Sequence, residues 1–356
     1  MVWNDLFVPV ACLLVGASVA GCAGESGAGS PGDAARPALA GDAERLAPPD
    51  EDVQADDVGA AADGAVAARS GSACAGDVRL RGPRFYPESV ALDASGNLYV
   101  TSLGTGAVAR ARPGAASARH FTSVAPYAAG GVLVDDAAGE LLVCASDLGF
   151  VGRPRVVAFD LKTGAEVARY EFPAAGACSD LARDGAGALY VTDIAAGVIY
   201  RAAPGARSLA PWSAPAELAP TAPGQFTANG IAVVGPSLFV VSFATGRLVR
   251  IGIGPNGAPG APVEIAVTPR LELPDGLRRL DDGGLLVAEG VGRLTRLTVL
   301  GEQASGEVLA AGLDAPSSVA VAGRQAWVSE GQVRRFFGTD PTPPNLPFRV
   351  RRLGLF

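Results

Sequence analysis

Residues 88–101 read ESVALDASGNLYVT: an apolar run, a turn carrying Gly96, then a second apolar run headed by Leu98-Tyr99-Val100. Alternating apolar positions on either side of a Gly-bearing turn are the pattern of a β-hairpin. The same phrase returns five times, as GVLVDDAAGELLVC from 131, SDLARDGAGALYVT from 179, NGIAVVGPSLFVV from 229, DGLRRLDDGGLLVA from 275 and SSVAVAGRQAWVS from 317. Successive starts lie 43, 48, 50, 46 and 42 residues apart. Further strand-like segments follow the hairpins, including RVVAFDLKTGAEVARYEF (155–172), GVIYRAAPG (197–205) and GRLVRIGI (246–253). Strand-type alternation, frequent Gly turns and almost no helical periodicity accompany them.

A unit of 40–50 residues holding several short strands is the signature of a propeller blade, because one such unit cannot bury its own apolar face and must stack on its neighbours. The expectation is an all-β six-bladed β-propeller over 73–356, with four-stranded antiparallel blades around a central channel. Both ACAGDVRLRG (73–82) and PFRVRRLGLF (347–356) look extended, and either can supply the outer strand that closes the ring.

The 356 residues are 49% apolar and 18% charged, which suits a packed globular domain. The charge is unevenly placed. Segment 31–64 holds nine acids and two arginines, so the net charge of −7 sits almost wholly there. No basic stripe remains to neutralise phosphates, which argues against nucleic-acid binding. Rich in Ala, Pro and acid and lacking apolar periodicity, the acidic segment belongs to a disordered tether over 22–72.

Before it stands LFVPVACLLVGASVAGC (6–22), an apolar run of about signal-peptide length. Its end, Val19-Ala20-Gly21-Cys22, resembles a bacterial lipobox. That resemblance implies a signal peptide over 1–21, lipid on Cys22, and an extracytoplasmic protein held to a bacterial membrane only by that anchor, in the periplasm or at the cell surface. Cys74, Cys144 and Cys178 remain. Three cysteines allow at most one disulfide. Cys144 and Cys178 occupy comparable ends of neighbouring repeats, so a bridge between them is open, but buried free thiols are the favoured reading. There is no Cys-x-x-Cys pair or Cys/His cluster to suggest zinc.

The first strand of each blade lines the channel, so the aligned first residues converge on one mouth: Glu88, Gly131, Ser179, Asn229, Asp275 and Ser317. Like charges about 4 Å apart repel by roughly 4 kcal/mol at an effective dielectric near 20. A raised pKa, water or a bound cation must relieve that repulsion. An all-oxygen donor set of Glu88, Asn229 and Asp275 favours a hard divalent ion, Ca²⁺ first, with Mg²⁺, Zn²⁺ or Mn²⁺ also compatible. The competing explanation is that Asn-Gly and Pro-Asp-Gly only serve tight turns. At the end of the second strand stand Ser102, Ala145, Asp193, Ser242, Glu289 and Glu330, an acidic rim from which Asp193 and Glu289 are singled out. With Ser179 and Ser317 they are candidate substrate-contacting or ligand-supporting residues.

The phrases PESVALDASGNLYVT, CSDLARDGAGALYVTD, TANGIAV and LPDGL resemble the gluconolactonase/regucalcin family of six-bladed propellers over about 85–338. The resemblance implies a divalent cation on Glu88, Asn229 and Asp275, and hydrolysis of a lactone or related ester. Asp275 is then the candidate base that activates water, with Asp180 the other candidate. Family lactonases carry a substrate-gripping Arg and Asn where this chain has Ala177 and Ser179. Hence a second reading: a non-catalytic, metal-containing propeller that binds a ligand or protein at the cell surface. His120 is the sole histidine, so chemistry that needs paired histidines is excluded. Nothing suggests a coiled-coil partner, and a monomer is expected.

Overall fold

The computed structural model describes residues 76–355; the expected signal peptide, Cys22, the acidic tether and Cys74 lie outside them. The chain is all-β in a propeller-like arrangement. A short β1 (Val78–Arg79) precedes four antiparallel sheets and one composite sheet. The first sheet is β2 (Pro87–Leu92), β3 (Leu98–Ser102), β4 (Ala107–Ala111) and β5 (Arg119–Ser123). The second is β6 (Ala128–Asp135), β7 (Glu140–Ser146), β8 (Arg155–Asp160) and β9 (Glu166–Glu171). The third is β10 (Cys178–Arg183), β11 (Leu189–Asp193), β12 (Val198–Ala202) and β13 (Ala210–Ser213).

Two further antiparallel runs are fused. These are β14 (Ala228–Val234), β15 (Ser237–Ser242), β16 (Leu248–Ile253) and β17 (Pro259–Thr268), then β18 (Pro274–Arg279), β19 (Leu285–Glu289), β20 (Arg293–Leu300) and β21 (Gln303–Ala311). The long outer strands β17 and β21 pair in parallel over Ala266–Thr268 and Gln303–Ser305, which makes one eight-stranded sheet where separate four-stranded blades were expected. The last run is β22 (Pro316–Ala322), β23 (Gln325–Glu330) and β24 (Arg349–Gly354), with the one-turn helix α1 (Val333–Phe336) between β23 and β24. Both extended termini are used here: β24 is its third strand, and β1 pairs outside it, Val78 opposite Val350.

Each inner strand packs against the next, β2 on β6 and onward to β22, and β22 returns to β2. Six inner strands therefore circle one axis. The apolar cores lie between neighbouring runs. Leu142, Val156 and Tyr170 of the second sheet interlock with Leu181, Val191 and Tyr200 of the third. Such burial supplies the stacking energy that no single run can supply alone.

The repeated Asp…Gly…Leu-Tyr phrase has a local cause. Asp93 accepts hydrogen bonds from the Asn97 backbone N–H (2.8 Å) and the Tyr99 hydroxyl (3.1 Å), folding the turn onto its second strand. Asp184 does the same with Ala188 N–H (2.9 Å) and Tyr190 (3.0 Å). Gly96 and Gly187 take the left-handed backbone these turns require, at φ 80° and 89°.

Candidate metal and catalytic centre at the channel mouth

All six inner strands break register at the same place. Pro87 opposes Ser102 and Val90 opposes Val100, so Glu88 and Ser89 together face Thr101. The same bulge sets Ser179 and Asp180 opposite Thr192, Asn229 and Gly230 opposite Val241, and Asp275 and Gly276 opposite Ala288. In β22 it falls at Ser317. In β6 it holds Gly130 and Gly131, so the true counterpart of Glu88 is Gly130, one residue before the position assigned from sequence. A bulge re-aims side chains that regular pleating would turn away, which is how adjacent residues both reach the channel.

The tight-turn explanation of Asn229-Gly230 and Asp275-Gly276 does not hold. Both pairs lie inside inner strands, and neither glycine has a positive φ. Their need for glycine is steric. A Cβ on Gly230 would sit 2.1 Å from the Asp275 carbonyl oxygen, and one on Gly276 would sit 2.7 Å from Ser318 Cα. The glycines let each bulge nest against the next strand.

Backbone geometry before the bulges is also repeated. Tyr86, Leu273 and Ala315 have φ of 42°, 51° and 46°, each followed by a proline and then Glu88, Asp275 or Ser317. Non-glycine residues in this region are costly and mark places where surrounding structure dictates the backbone. Tyr86, Leu273 and Ala315 carbonyls accept N–H groups of Leu103, Gly290 and Gly331, which fixes the entry angle.

At the ring, Ser179 Oγ donates to Asn229 Oδ1 (2.6 Å), and Asn229 Nδ2 donates to Asp275 Oδ1 (2.9 Å). Thr192 Oγ1, opposite the preceding bulge, donates to the Asn229 carbonyl (2.8 Å) and locates its backbone. Glu88 is half-buried as a residue, yet its Oε2 is buried with no hydrogen-bond partner. Burial, then the charges of Asp275 and Asp180, hold the Glu88 carboxyl well above the usual range, and Arg278 opposes the shift. Asp275 is likewise raised well above its usual value by burial and by Asp180, opposed by the Asn229 hydrogen bond and Arg278.

Arg278 was not anticipated: the aligned ring contains no cation, but this side chain rises from three residues further along β18. Its guanidinium binds both oxygens of Asp180, Nη1 to Oδ2 at 2.6 Å and Nη2 to Oδ1 at 3.1 Å. Nη2 also reaches Ser89 Oγ (3.4 Å) and Ser318 Oγ (3.3 Å). One side chain thus touches three other inner strands and crosses the channel beside the ring. Asp180 also accepts the backbone N–H groups of Leu181 (2.9 Å) and Ile231 (3.3 Å). Its oxygens are committed to structure.

The expected acidic rim is partly committed as well, although Asp193 Oδ2 is buried without a hydrogen-bond partner. Asp193 Oδ1 accepts N–H groups of Ala177 (3.0 Å), Ala195 (3.1 Å) and Ala196 (3.1 Å). Glu289 accepts Glu272 N–H (2.7 Å), Arg293 and the Thr295 hydroxyl. These side chains tie incoming loops to the second strand. Ser317 Oγ donates to the Pro87 carbonyl (3.2 Å), joining the last run to the first. His120 is exposed on the outer strand β5.

Cys144 and Cys178 form a disulfide, not the free thiols favoured from sequence. Cys144 faces the β6 bulge, a place filled by Thr101 and Thr192 in adjacent runs, where the hydroxyl bonds a carbonyl of the next run. A covalent bridge ties the second and third sheets instead.

Among the described residues no three His, Cys, Asp or Glu side chains make a metal-sized group. The donor set that fits an ion is two carboxylates and an amide: Glu88, Asp275 and Asn229. The fit rests on a buried carboxylate oxygen without a partner and on a Glu88 carboxyl that burial and the Asp275 charge both push up, and an oxygen-only set suits a hard divalent cation.

No family model matches the sequence, and no curated protein matches it. Solved structures do. A gluconolactonase from Xanthomonas campestris is 19% identical with a TM-score of 0.54, covering 76% of this chain and 86% of its own. A calcium-binding regucalcin from Agrobacterium tumefaciens is 16% identical with a TM-score of 0.54, covering 78% and 95%. Virginiamycin B lyase from Staphylococcus aureus is 16% identical with a TM-score of 0.52, covering 71% and 80%. In its fold, the chain is a gluconolactonase/regucalcin-like propeller.

Proposed function

We propose that this six-bladed propeller is a divalent-metal-dependent hydrolase of a lactone or related ester. The observation that carries the reading is the unpartnered, buried Glu88 Oε2 beside Asp275, next to the Ser179–Asn229–Asp275 hydrogen-bond chain. Glu88, Asn229 and Asp275 would hold the ion, Ca²⁺ first. When bound, it supplies Lewis-acid polarisation of the ester carbonyl and a more acidic water. Propeller neighbours that include a gluconolactonase and a calcium-binding regucalcin support the class.

Of the two candidate bases, Asp275 is the better. Asp180 is held by a bidentate guanidinium and two backbone amides, so a proton on it would cost those bonds. Asp275 has one oxygen on Asn229 and neither a guanidinium nor a backbone amide bonded to its carboxylate, so a proton on it breaks fewer bonds. The role assigned to it is acceptance of a proton from water at the ring. Asn229 orients Asp275, and Ser179 orients Asn229.

The non-catalytic alternative has one observation in its favour. Ala177 offers only a methyl, and the Ser179 hydroxyl is already bonded to Asn229, so the ring keeps little with which to grip a polyol. Metal content of the full-length protein and of the Glu88→Ala/Asp275→Ala variant, with a lactone and ester panel, separates the readings. Near-stoichiometric metal and turnover, both lost in the variant, support the hydrolase. Metal without turnover supports the binding module. No metal in either protein removes both.

An extracytoplasmic, lipid-anchored location through Cys22 is part of the proposal. The Cys144–Cys178 bridge supports it, since such bonds persist in oxidising compartments.

A further inference from the structure

Antiparallel runs that start at the mouth return their second-to-third-strand loops, and their connections to the next run, to that same face. Phe150 lies in the loop between β7 and β8, Phe226 just before β14, and Phe337 just after α1. They lie on the second run, on the connection that enters the fourth run, and on the last run. Yet Phe150 and Phe226 meet edge to face with ring centroids 5.5 Å apart, and Phe226 and Phe337 lie 5.9 Å apart. Side chains of the fourth and last runs, which have another run between them, meet here by reaching over the mouth. The three phenylalanines therefore form a roof across the mouth that holds Glu88, Asn229 and Asp275. Phe336 and Tyr86 extend it to the first run, at 5.0 Å and 5.1 Å.

The roof is built, not incidental. Asp147 folds the Phe150 loop by accepting Gly149 N–H (3.0 Å) and Gly152 N–H (2.9 Å), and Phe150 itself is held at φ 55°. Gln225 binds Thr221 N–H (2.7 Å) before Phe226. Gln332 and Asn345 exchange hydrogen bonds of 2.8 and 3.0 Å across the loop that carries α1, and Arg335 binds Asp314. Apolar surface on this face remains open: Phe337 is 45% exposed, Leu148 48%, Val151 77% and Val291 46%. Exposed apolar side chains grouped beside a site favour a ligand with an apolar group to bury.

We propose that the roof selects the substrate: the lactone or ester admitted to the ring carries an alkyl or aryl substituent packed against Phe150, Phe226 and Phe337, and is not a sugar lactone. This rests on the hydrolase reading for its carbonyl, but the apolar binding stands apart from turnover. A polyol would meet few free donors at the ring, where Ser179 is bonded to Asn229 and Arg278 to Asp180, whereas each methylene buried there favours binding.

The test uses full-length protein with γ-butyrolactone, γ-octalactone, γ-dodecalactone and glucono-δ-lactone, and the neutral dye N-phenyl-1-naphthylamine as a binding probe. For wild type, kcat/KM should rise with chain length, by up to roughly fourfold per methylene. In Phe226→Ala/Phe337→Ala the dodecalactone-to-butyrolactone ratio should fall at least tenfold, and Phe226→Leu/Phe337→Leu should retain part of it. A flat series, a preference for glucono-δ-lactone, or an unchanged ratio in the folded alanine variant overturns the proposal. If no lactone is turned over, the hydrolase reading fails and dye competition decides the roof. Displacement by dodecalactone from wild type, with dye binding at least fivefold weaker in the alanine variant, supports it; no displacement overturns it.

Discussion

Arg278 and Asp180 meet across the channel from β18 and β10, paired through both carboxylate oxygens at 2.6 and 3.1 Å, with Asp180 almost fully buried. The pair sits beside two acids whose carboxyls are pushed up by burial and in part by Asp180, while Arg278 supplies the positive charge that opposes the shift. Removing one partner of a buried pair leaves an uncompensated charge, which costs about 3–5 kcal/mol. Arg278→Met should therefore lower the denaturant midpoint sharply. Arg278→Met/Asp180→Asn should recover much of the loss. Equal loss in single and double variants would show that the pair is not what stabilises the channel.

Glu88 gives a prediction whose sign depends on the ion. Without metal, its buried oxygen is unpartnered, so Glu88→Gln removes a destabilising charge and should raise Tm in chelator. With Ca²⁺ at a hundred times Kd, binding should stabilise wild type by about 2.7 kcal/mol, and the variant should gain little. Calorimetry in chelator and in Ca²⁺ should thus reverse the order of the two proteins. A constant order would remove Glu88 from the ligand set.

Much of this site was legible because the hairpin that carries it is local. Asp93 and Asp184 close their turns with the residues beside them, so the repeat survives in the sequence and aligns Glu88, Asn229 and Asp275. Where two glycines adjoin, as at Gly130 and Gly131, pattern alone does not fix the register, and the bulge decides it. Arg278 escaped because a column reads one position per strand, while a long side chain reaches the ring from further down. Asp193 and Glu289 read as a rim because their acidity is visible and the loop amides that consume it are not. The disulfide pair was visible as an open possibility, since both cysteines stand at comparable ends of neighbouring repeats, but burial makes a thiol and a bridge look alike in sequence.

Gly230 should tolerate no side chain. Its Cβ would approach the Asp275 carbonyl oxygen to 2.1 Å and the Leu277 nitrogen to 2.5 Å, both backbone atoms that cannot rotate away. Gly230→Ala should cost about 1–3 kcal/mol or more and weaken metal binding by displacing Asp275. Gly283→Ala is the contrast: nothing lies near its Cβ, but its φ of 85° predicts a loss of stability with metal affinity intact. Denaturation and metal titration of both variants check the difference.

The Cys144–Cys178 bridge closes a loop with a sequence separation of 34 between β7 and β10. Chain-entropy reasoning gives about 3–4 kcal/mol for a loop of that length. Cys144→Ser/Cys178→Ser should lower the denaturant midpoint, and reductant should shift wild type to the same value. Wild type indifferent to reductant, with the variant also unchanged, would contradict the bridge.

Asp193 sets a pH dependence apart from the ring. Burial raises its carboxyl above the ordinary aspartate value, and the amides of Ala177, Ala196 and Ala195 offset only part of that. A raised folded pKa means the folded state holds the proton more tightly than the unfolded chain. Its contribution is therefore most favourable below the unfolded aspartate pKa and is lost as pH rises through the folded one. Asp193→Asn removes the titration but keeps an oxygen for the three amides. Relative to that variant, wild type should lose stability as pH climbs out of the ordinary aspartate range, by up to about 1.4 kcal/mol per pH unit within the window. Unfolding free energies of both proteins from acidic to neutral pH measure it. A stability difference that stays constant, or grows in favour of wild type, would mean that the three amides outweigh burial.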